Sequence, residues 1–196
     1  MSKKKVRITI FASGNGSNAA AIYDYLKEHP YVAIVSVMTN NPNAHVINRA
    51  KKWKLPYYIF DKTVLNDPET FLGILQSDKI DLIVLAGFLW LIPGYLVSAF
   101  PNKIINIHPA LLPKYGGKGM YGHHVHEAVR KANESESGIT IHYVNEHYDE
   151  GAIIFQASTS ITAADLADDI AQKVHQLEYE HYPFQIEQIA KKVLGV

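Results

Sequence analysis

The sequence lacks cysteine, net charge and a long hydrophobic run. With no cysteine in 196 residues, the chain has no disulfide, no thiolate metal site and no cysteine nucleophile. Nineteen basic residues balance nineteen acidic ones, so no net positive field would attract nucleic acid or an anionic membrane. The longest apolar run, 82–92, is too short to span a bilayer. We therefore expect neither a nucleic-acid nor a membrane partner, although a local anion site is compatible with this charge balance.

The length and composition are those of one globular domain. A chain of 196 residues, 47% hydrophobic and 19% charged, has a single domain's length and enough apolar residues for a core. The basic start, 1–5, precedes an apolar stretch that is too short for a secretory signal peptide. We expect a cytoplasmic protein with one domain over 1–196, in which two halves, 1–102 and 103–196, share one sheet.

Strand and helix patterns alternate along the chain. β-Branched residues from Val6 to Ala12 predict a strand that ends at a glycine turn, and helical spacing follows in 18–27. Further strands are predicted at 31–38, 57–60, 81–86, 103–108, 139–144 and 153–160. Further helices are predicted at 44–54, from Asp67, from Pro93 to about Phe100, at 122–133 and after Thr162. This order predicts an α/β fold: a Rossmann-like, mostly parallel twisted sheet with helices on both faces, the last strands forming a mixed or antiparallel edge.

A glycine turn, Ser13 to Asn18, joins the first strand to the first helix. Glycine permits a tight turn, and a helix start offers free N–H groups to an anion. A dinucleotide site would also need an acidic residue at the end of the second strand, but that strand ends in Thr39-Asn40-Asn41. We therefore favour a single phosphate as the ligand; a purely structural turn is the alternative.

Polar side chains interrupt the apolar strand near 103–108. Because alternate residues of a strand share a face, Asn106 and His108 should point the same way while Ile107 faces the core. An amide can donate to a developing oxyanion, and an imidazole can exchange a proton near neutral pH. Asp149, in the turn between the last two strands, could bring a carboxylate to His108. A buried structural histidine and an ordinary Asp-containing turn are the alternatives.

Two other features have competing interpretations. The sequence His123-His124-x-His126 suggests metal ligands, but no carboxylate-rich segment lies beside it, and we expect no metal. The apolar stretch Phe88 to Ile92 follows a central strand, so it lines either the core or a ligand pocket.

Several segments together resemble the phosphoribosylglycinamide formyltransferase family, folate-dependent enzymes of purine (IMP) biosynthesis. They occur in the same order over nearly the whole chain, and their combination is specific although each part alone is not. The matching segments are 13–18, 85–88, 106–115, 149–151, and Glu178 with Tyr182-Pro183. The resemblance implies one formyltransferase domain, with 1–102 as its phosphate-binding half and 103–196 as its catalytic half.

The resemblance also implies two small-molecule substrates, glycinamide ribonucleotide and 10-formyltetrahydrofolate, no metal, and a monomer or homodimer. Asn106, His108 and Asp149 match the family's catalytic residues. The ribonucleotide's phosphate would bind Asn15, Gly16, Ser17 and Asn18, and its far end would meet Glu178. The folate would contact Leu89, Trp90, Leu91, Ile92, Asn145, Glu146, His147 and Tyr148.

The implied mechanism is attack of the neutral substrate amine on the formyl carbon. Asn106 and a protonated His108 would stabilise the oxyanion, while Asp149 would keep His108 charged and pass the amine's proton towards N10 of the folate. Two departures from the family stand out. Trp90 replaces a residue that is commonly basic, and the loop 116–126 is longer and richer in glycine and histidine, so we transfer no contact from it.

Other activities share the three catalytic residue types. A formyltetrahydrofolate deformylase is expected to carry an N-terminal regulatory domain, and a methionyl-tRNA formyltransferase an RNA-binding domain with positive charge. A sugar formyltransferase is harder to distinguish, but the phosphate turn favours a small phosphorylated amine. A non-catalytic nucleotide-binding α/β module would use Gly16 but have no use for Asn106, His108 and Asp149 together.

Overall fold

The structure, a computed structural model, describes residues 5–195. Two parts of the chain lie outside these residues: Val196, and residues 1–4 of the basic start that was compared with a signal peptide. The strands are β1 (Val6–Phe11), β2 (Val32–Thr39), β3 (Tyr57–Ile59), β4 (Leu82–Leu85), β5 (Ile104–His108), β6 (Glu136–Tyr143) and β7 (Ile153–Ser160). The helices are α1 (Ser17–Leu26), α2 (Val46–Trp53), α3 (Lys62–Leu65), α4 (Pro68–Ser77), α5 (Gly94–Ala99), α6 (His123–Lys131) and α7 (Ala167–Leu194).

The strands of the described chain form one sheet in the order β3-β2-β1-β4-β5-β6-β7. The first five strands in this order are parallel, whereas β6 is antiparallel to both β5 and β7. This arrangement confirms the predicted α/β fold with its mixed edge.

Both faces of the sheet are covered, which explains why its central strands are nearly all apolar. One apolar cluster packs β1 residues such as Ile8 and Ile10 against α1, α2, α6 and α7. A second packs Phe11 and Ile83 against α4 and α5 on the opposite face. Full burial of such a side chain contributes about 1.5–3 kcal/mol relative to leaving it in water. None of the helices in 5–195 is long and apolar enough to cross a membrane.

An aspartate side chain caps the start of α4, and the last helix begins later than predicted. Asp67 caps α4 as expected, its side chain accepting from the backbone N–H groups of Glu69 and Thr70. The final helix, by contrast, begins at Ala167 and not directly after Thr162. The Thr162 N–H and hydroxyl both donate to Asp165 and close a separate turn. These two bonds therefore stabilise the loop that precedes α7.

Two further elements differ from the predicted pattern. The short helix α3 was not predicted; Asp61 caps it by accepting from Val64 N–H at 2.9 Å. Strand β6 begins at Glu136, earlier than expected, because Glu136 and Ser137 pair with Ser160 and Thr159 of β7. Cross-strand pairing thus extends the strand through polar residues that carry no periodic signal.

Candidate active site

A cavity of about 580 Å³ opens where β1, β4 and β5 end. Open α/β sheets bind ligands at the carboxyl ends of their strands, and this volume lies within the usual range for small-molecule sites. The wall combines the glycine turn after β1, the apolar segment after β4, the polar end of β5 and two later loops. Its main segments are 14–18, 85–92, 106–109, 117–122 and 147–149.

Asn106, His108 and Asp149 converge at the centre of this cavity. Asn106 and His108 lie on one face of β5, as the alternation predicts, and Asp149 reaches them from the β6–β7 connection. Asn106 Nδ2 lies 3.5 Å from Asp149 Oδ1, and His108 Nδ1 lies 3.5 Å from Asp149 Oδ2. The carboxylate therefore faces both the amide and the imidazole, at distances that a bound substrate can shorten.

Asp149 is held as an ionised carboxylate. Burial raises its pKa, but contacts with His142, the attraction of His108 and the hydrogen bond from Gly117 N–H outweigh burial, and the net pKa is below its ordinary value. The Gly117 N–H donates to Oδ2 at 3.0 Å. The Asp149 backbone has φ = 58°, a left-handed conformation that aspartate and asparagine tolerate better than most residues.

The His108 side chain is buried between Asp149 and the Tyr115 carbonyl oxygen. Burial lowers the pKa of His108 below its ordinary value, although Asp149 and the Tyr115 carbonyl act in the opposite direction. His108 Nε2 lies 2.7 Å from the Tyr115 carbonyl oxygen, so Nε2 carries a hydrogen, and Nδ1 is the ring nitrogen that faces Asp149.

The glycine turn is shaped for close approach by a ligand. Gly16 has φ = 71°, and a Cβ on it would lie 2.6 Å from Val46 Cγ2 of α2. The turn leads into α1, whose first N–H groups lack intrahelical partners and whose N-cap residue, Gly16, has no side chain to satisfy them. Arg49 of α2 adds a cation, since its Nε donates to the Asn15 carbonyl oxygen at 2.8 Å. The segment from Asn15 to Asn18, predicted to bind a phosphate, thus combines unpaired helix N–H groups with a neighbouring cation.

We expect Gly16→Ala to destabilise the fold, because alanine at a positive φ is strained and its Cβ would contact Val46. The expected loss in unfolding free energy is at least about 1 kcal/mol, measured by urea denaturation. Gly14→Ala is the matched control, since a Cβ there meets nothing within 4 Å. An equal loss in both variants would show that the left-handed turn does not require glycine.

Glu178 of α7 closes the cavity beyond the glycine turn. The residue is buried, and one of its carboxylate oxygens, Oε2, accepts from Asn18 Nδ2 at 2.9 Å. His175 Nδ1 lies 2.8 Å from the same oxygen. The structure therefore brings two predicted substrate residues, Asn18 and Glu178, into direct contact.

The apolar wall lies at the opposite end of the cavity. Leu89, Trp90, Leu91 and Ile92 all line it, and Leu89 and Leu91 remain 44% and 40% exposed. Large apolar side chains exposed within a concave surface indicate a site for a flat apolar ligand. Trp90 packs edge-on against Phe88, with ring centroids 6.3 Å apart.

The predicted 145–148 segment is only partly in the cavity. His147 and Tyr148 line it, whereas Asn145 and Glu146 are not among the lining residues. Asn145 Oδ1 accepts from His147 N–H at 2.9 Å, and the Glu146 carboxylate packs against Gly94. The loop turns after Val144, so its first polar side chains face away from the site.

The sequence pattern of the formyl transferase family matches residues 6–186. The chain belongs to this family. It is 37% identical over 188 residues to the phosphoribosylglycinamide formyltransferase of Bacillus subtilis, covering 93% of this chain and 94% of that protein. A chloroplastic phosphoribosylglycinamide formyltransferase of Arabidopsis thaliana is 36% identical over 185 residues, 91% of this chain.

The coverage of these formyl transferases differs. The chain spans 63% of the Arabidopsis protein and 62% of a second chloroplastic relative from Vigna unguiculata. The crystal structure of a phosphoribosylglycinamide formyltransferase from Bacillus halodurans superposes with a TM-score of 0.85 at 33% identity, covering 95% of this chain and 96% of that one. The fold described above is therefore that of solved formyl transferases.

The site of this formyl transferase includes a fourth polar residue, His142, that the sequence interpretation missed. His142 of β6 pairs with Asn106 of β5 in the sheet register, and its Nε2 lies 3.2 Å from Asn106 Nδ2 and 3.6 Å from Asp149 Oδ1. His142 Nδ1 lies 2.9 Å from the Tyr143 carbonyl oxygen, so Nδ1 carries a hydrogen, and Nε2 faces Asn106 and Asp149. The alternation of Thr140 and His142 within an apolar strand was the available signal.

The histidines at the start of α6 do not converge. His126 is buried in the cavity wall, whereas His123 is half-exposed and lies 3.4 Å from both Glu127 and Asp168. Over residues 5–195, no group of three or more His, Asp or Glu side chains is placed to hold a metal ion.

Proposed function

We propose that this protein transfers the formyl group of 10-formyltetrahydrofolate to the amine of N1-(5-phospho-D-ribosyl)glycinamide, a step of IMP biosynthesis. The observation that carries the proposal is a single cavity with an anion-binding turn at one end and an apolar wall at the other, and with Asn106, His108 and Asp149 between them. The names of the B. subtilis and A. thaliana relatives support the same acceptor.

The ribonucleotide would bind between α1 and α7. Its phosphate would accept hydrogen bonds from the free N–H groups at the start of α1, where the helix dipole and Arg49 favour negative charge. Its hydroxyl and amine groups are donors, and Glu178, which lines the cavity, would offer Oε1 as an acceptor because both protein donors meet Oε2. These two anchors would place the amine near Asn106.

The folate would bind on the opposite side. Its flat pterin ring suits the exposed Leu89 and Leu91 side chains and the neighbouring His147–Tyr148 segment. When bound, it supplies an activated formyl group on N10. The wall excludes water from the central residues, which strengthens their electrostatic interactions.

The reaction forms a bond between the amine nitrogen and the formyl carbon and breaks the bond between that carbon and N10. Asn106 would donate a hydrogen bond to the oxygen on which negative charge develops. The neutral His108 and the ionised Asp149 would together take the proton that the amine loses. The imidazolium formed in this way is stabilised by Asp149, and its proton is returned to N10 as the leaving group departs.

This mechanism predicts a specific pH dependence. A lowered pKa keeps His108 able to accept a proton down to pH values below 6.5 and removes this ability only at more acidic pH. As the pH is lowered, the logarithm of kcat/KM should therefore first fall with one slope, because the substrate amine becomes protonated. Below pH 6.5 it should fall more steeply, because His108 becomes protonated as well. A ring that must be protonated before attack would instead give a shallower acid limb in the measured pH–rate profile.

The proposed function is tested by following formyl transfer from 10-formyltetrahydrofolate spectroscopically. We expect turnover with glycinamide ribonucleotide and none with water, an amino sugar nucleotide or the unphosphorylated glycinamide riboside. Formate release without an acceptor would identify a deformylase, and transfer to an amino sugar would identify a sugar formyltransferase. Either result would overturn the proposed acceptor.

A further inference from the structure

The buried carboxylate of Glu178 has one cationic partner in the described part of the chain. His175 lies one turn earlier on α7, and its Nδ1 is 2.8 Å from Glu178 Oε2. Asn18 Nδ2 donates to the same oxygen at 2.9 Å. Both donors therefore hold Oε2, and Oε1 is left for a ligand.

The surroundings of this pair come from three elements. Tyr179 of α7 lies parallel to the His175 ring, with centroids 5.9 Å apart. His126 of α6 lies edge-on to the same ring at 6.4 Å, and Asn18 belongs to α1. The His175 side chain is 44% exposed and that of Glu178 only 5%, so solvent can exchange protons with the imidazole while the carboxylate depends on protein donors.

His126 cannot replace His175 as the cation. Burial lowers the pKa of His126 to about 4, and the neighbouring His175 shifts it in the same direction. The hydrogen bond to Glu178 raises the pKa of His175. Of the two rings, His175 is therefore the one whose protonation its surroundings favour, whereas His126 Nδ1 and Asn18 Oδ1 are buried and have no partner in the described chain.

We propose that His175 is a positioning residue for the ribonucleotide: by holding Oε2 of Glu178, it directs Oε1 towards the donor groups of that substrate. The inference rests on the proposed function. A carboxylate oxygen held by two donors fixes the orientation of the whole carboxylate. His175 contacts neither Asn106 nor Asp149, so it acts on substrate binding and not on the transfer step.

The test compares His175→Leu with His175→Gln, in which an amide can still donate to Glu178. We expect His175→Leu to raise KM for the ribonucleotide about tenfold, as expected for loss of a charge-assisted hydrogen bond, with kcat changed less than about twofold. KM for 10-formyltetrahydrofolate should not change. His175→Gln should restore KM to within about threefold of the wild-type value.

The control is His181→Gln, on the same helix but against Phe155 and outside the cavity, which should leave all three constants unchanged. An unchanged KM in His175→Leu, an equal fall in its kcat, or a His175→Gln variant as impaired as His175→Leu would overturn the inference. Absence of wild-type turnover would overturn the proposed function and, with it, this inference. Wild-type turnover together with one of the three results above would overturn this inference alone.

A second measurement needs no substrate. The imidazole of His175 can be titrated by NMR in the wild-type protein and in Glu178→Gln. We expect Glu178→Gln to lower the His175 pKa towards its ordinary value and to leave His181 unaffected. Identical titration of His175 in both proteins would show that the two side chains do not interact in solution.

Discussion

Asp149→Asn is expected to lower kcat by about 10³-fold while substrate binding and the fold persist. Asp149 is the group that Asn106, His108 and His142 share, at 3.5, 3.5 and 3.6 Å. Asparagine has the same shape but no charge, so it cannot stabilise the imidazolium that forms when His108 accepts the amine's proton. The loss should therefore fall on the chemical step.

The choice of asparagine keeps the backbone intact. At φ = 58°, asparagine is tolerated as readily as aspartate, and its side-chain oxygen can still accept from Gly117 N–H. Single-turnover kinetics with both substrates saturating measures the chemical step, and calorimetry measures ribonucleotide binding. Glu150→Gln, an exposed neighbour in the same turn, is the control. A kcat within tenfold of wild type, or an equal loss in Glu150→Gln, would contradict the central role of Asp149.

Asn106→Ala is expected to lower kcat by about 10²–10³-fold, the usual cost of removing one oxyanion donor. Asn106 contacts Asp149 and His142 from the face of β5 that lines the cavity, and in the proposed mechanism its amide would lie beside the reacting carbonyl of the folate. KM for the ribonucleotide should change little, because the phosphate turn and Glu178 supply that binding. Steady-state kinetics separates the two constants.

Two comparisons sharpen this second prediction. His108→Ala should show a similar loss, and the double variant with Asn106→Ala should lose less than the product of the single losses, because both residues act in one step. Asn66→Ala, at the exposed end of α3, should be neutral. Fully multiplicative losses would show that Asn106 and His108 act independently.

The strands and the central residues were predictable because their patterns are local. Period-two alternation places Asn106 and His108 on one face whatever the rest of the chain does. The apolar strands β1 and β4 likewise indicate a sheet covered on both faces. The turn between the last two strands was enough to single out Asp149, although its distance to His108 could not be read from the chain.

The site features that the sequence did not reveal arise from packing between elements that are distant in the chain. His142 meets Asn106 only through the β5–β6 register, and Arg49 reaches Asn15 only because α2 packs beside the glycine turn. The lowered pKa of His108 depends on how deeply the ring is buried. Alternation within β6 marks His142 as polar, but its position opposite Asn106, the Arg49 contact and the depth of His108 have no signature in spacing or composition.

The pairing of Asn106 with His142 has a consequence for how this site can vary. A shift of β5 by one residue would exchange Asn106 and His108 for Ile105 and Ile107 and remove both polar side chains of this strand from the cavity face. Insertions and deletions that keep this register must therefore lie outside the paired strands. A new acceptor can be accommodated by remodelling a loop at the rim of the cavity, provided that Asp149 and the Gly117 N–H that donates to it stay in place.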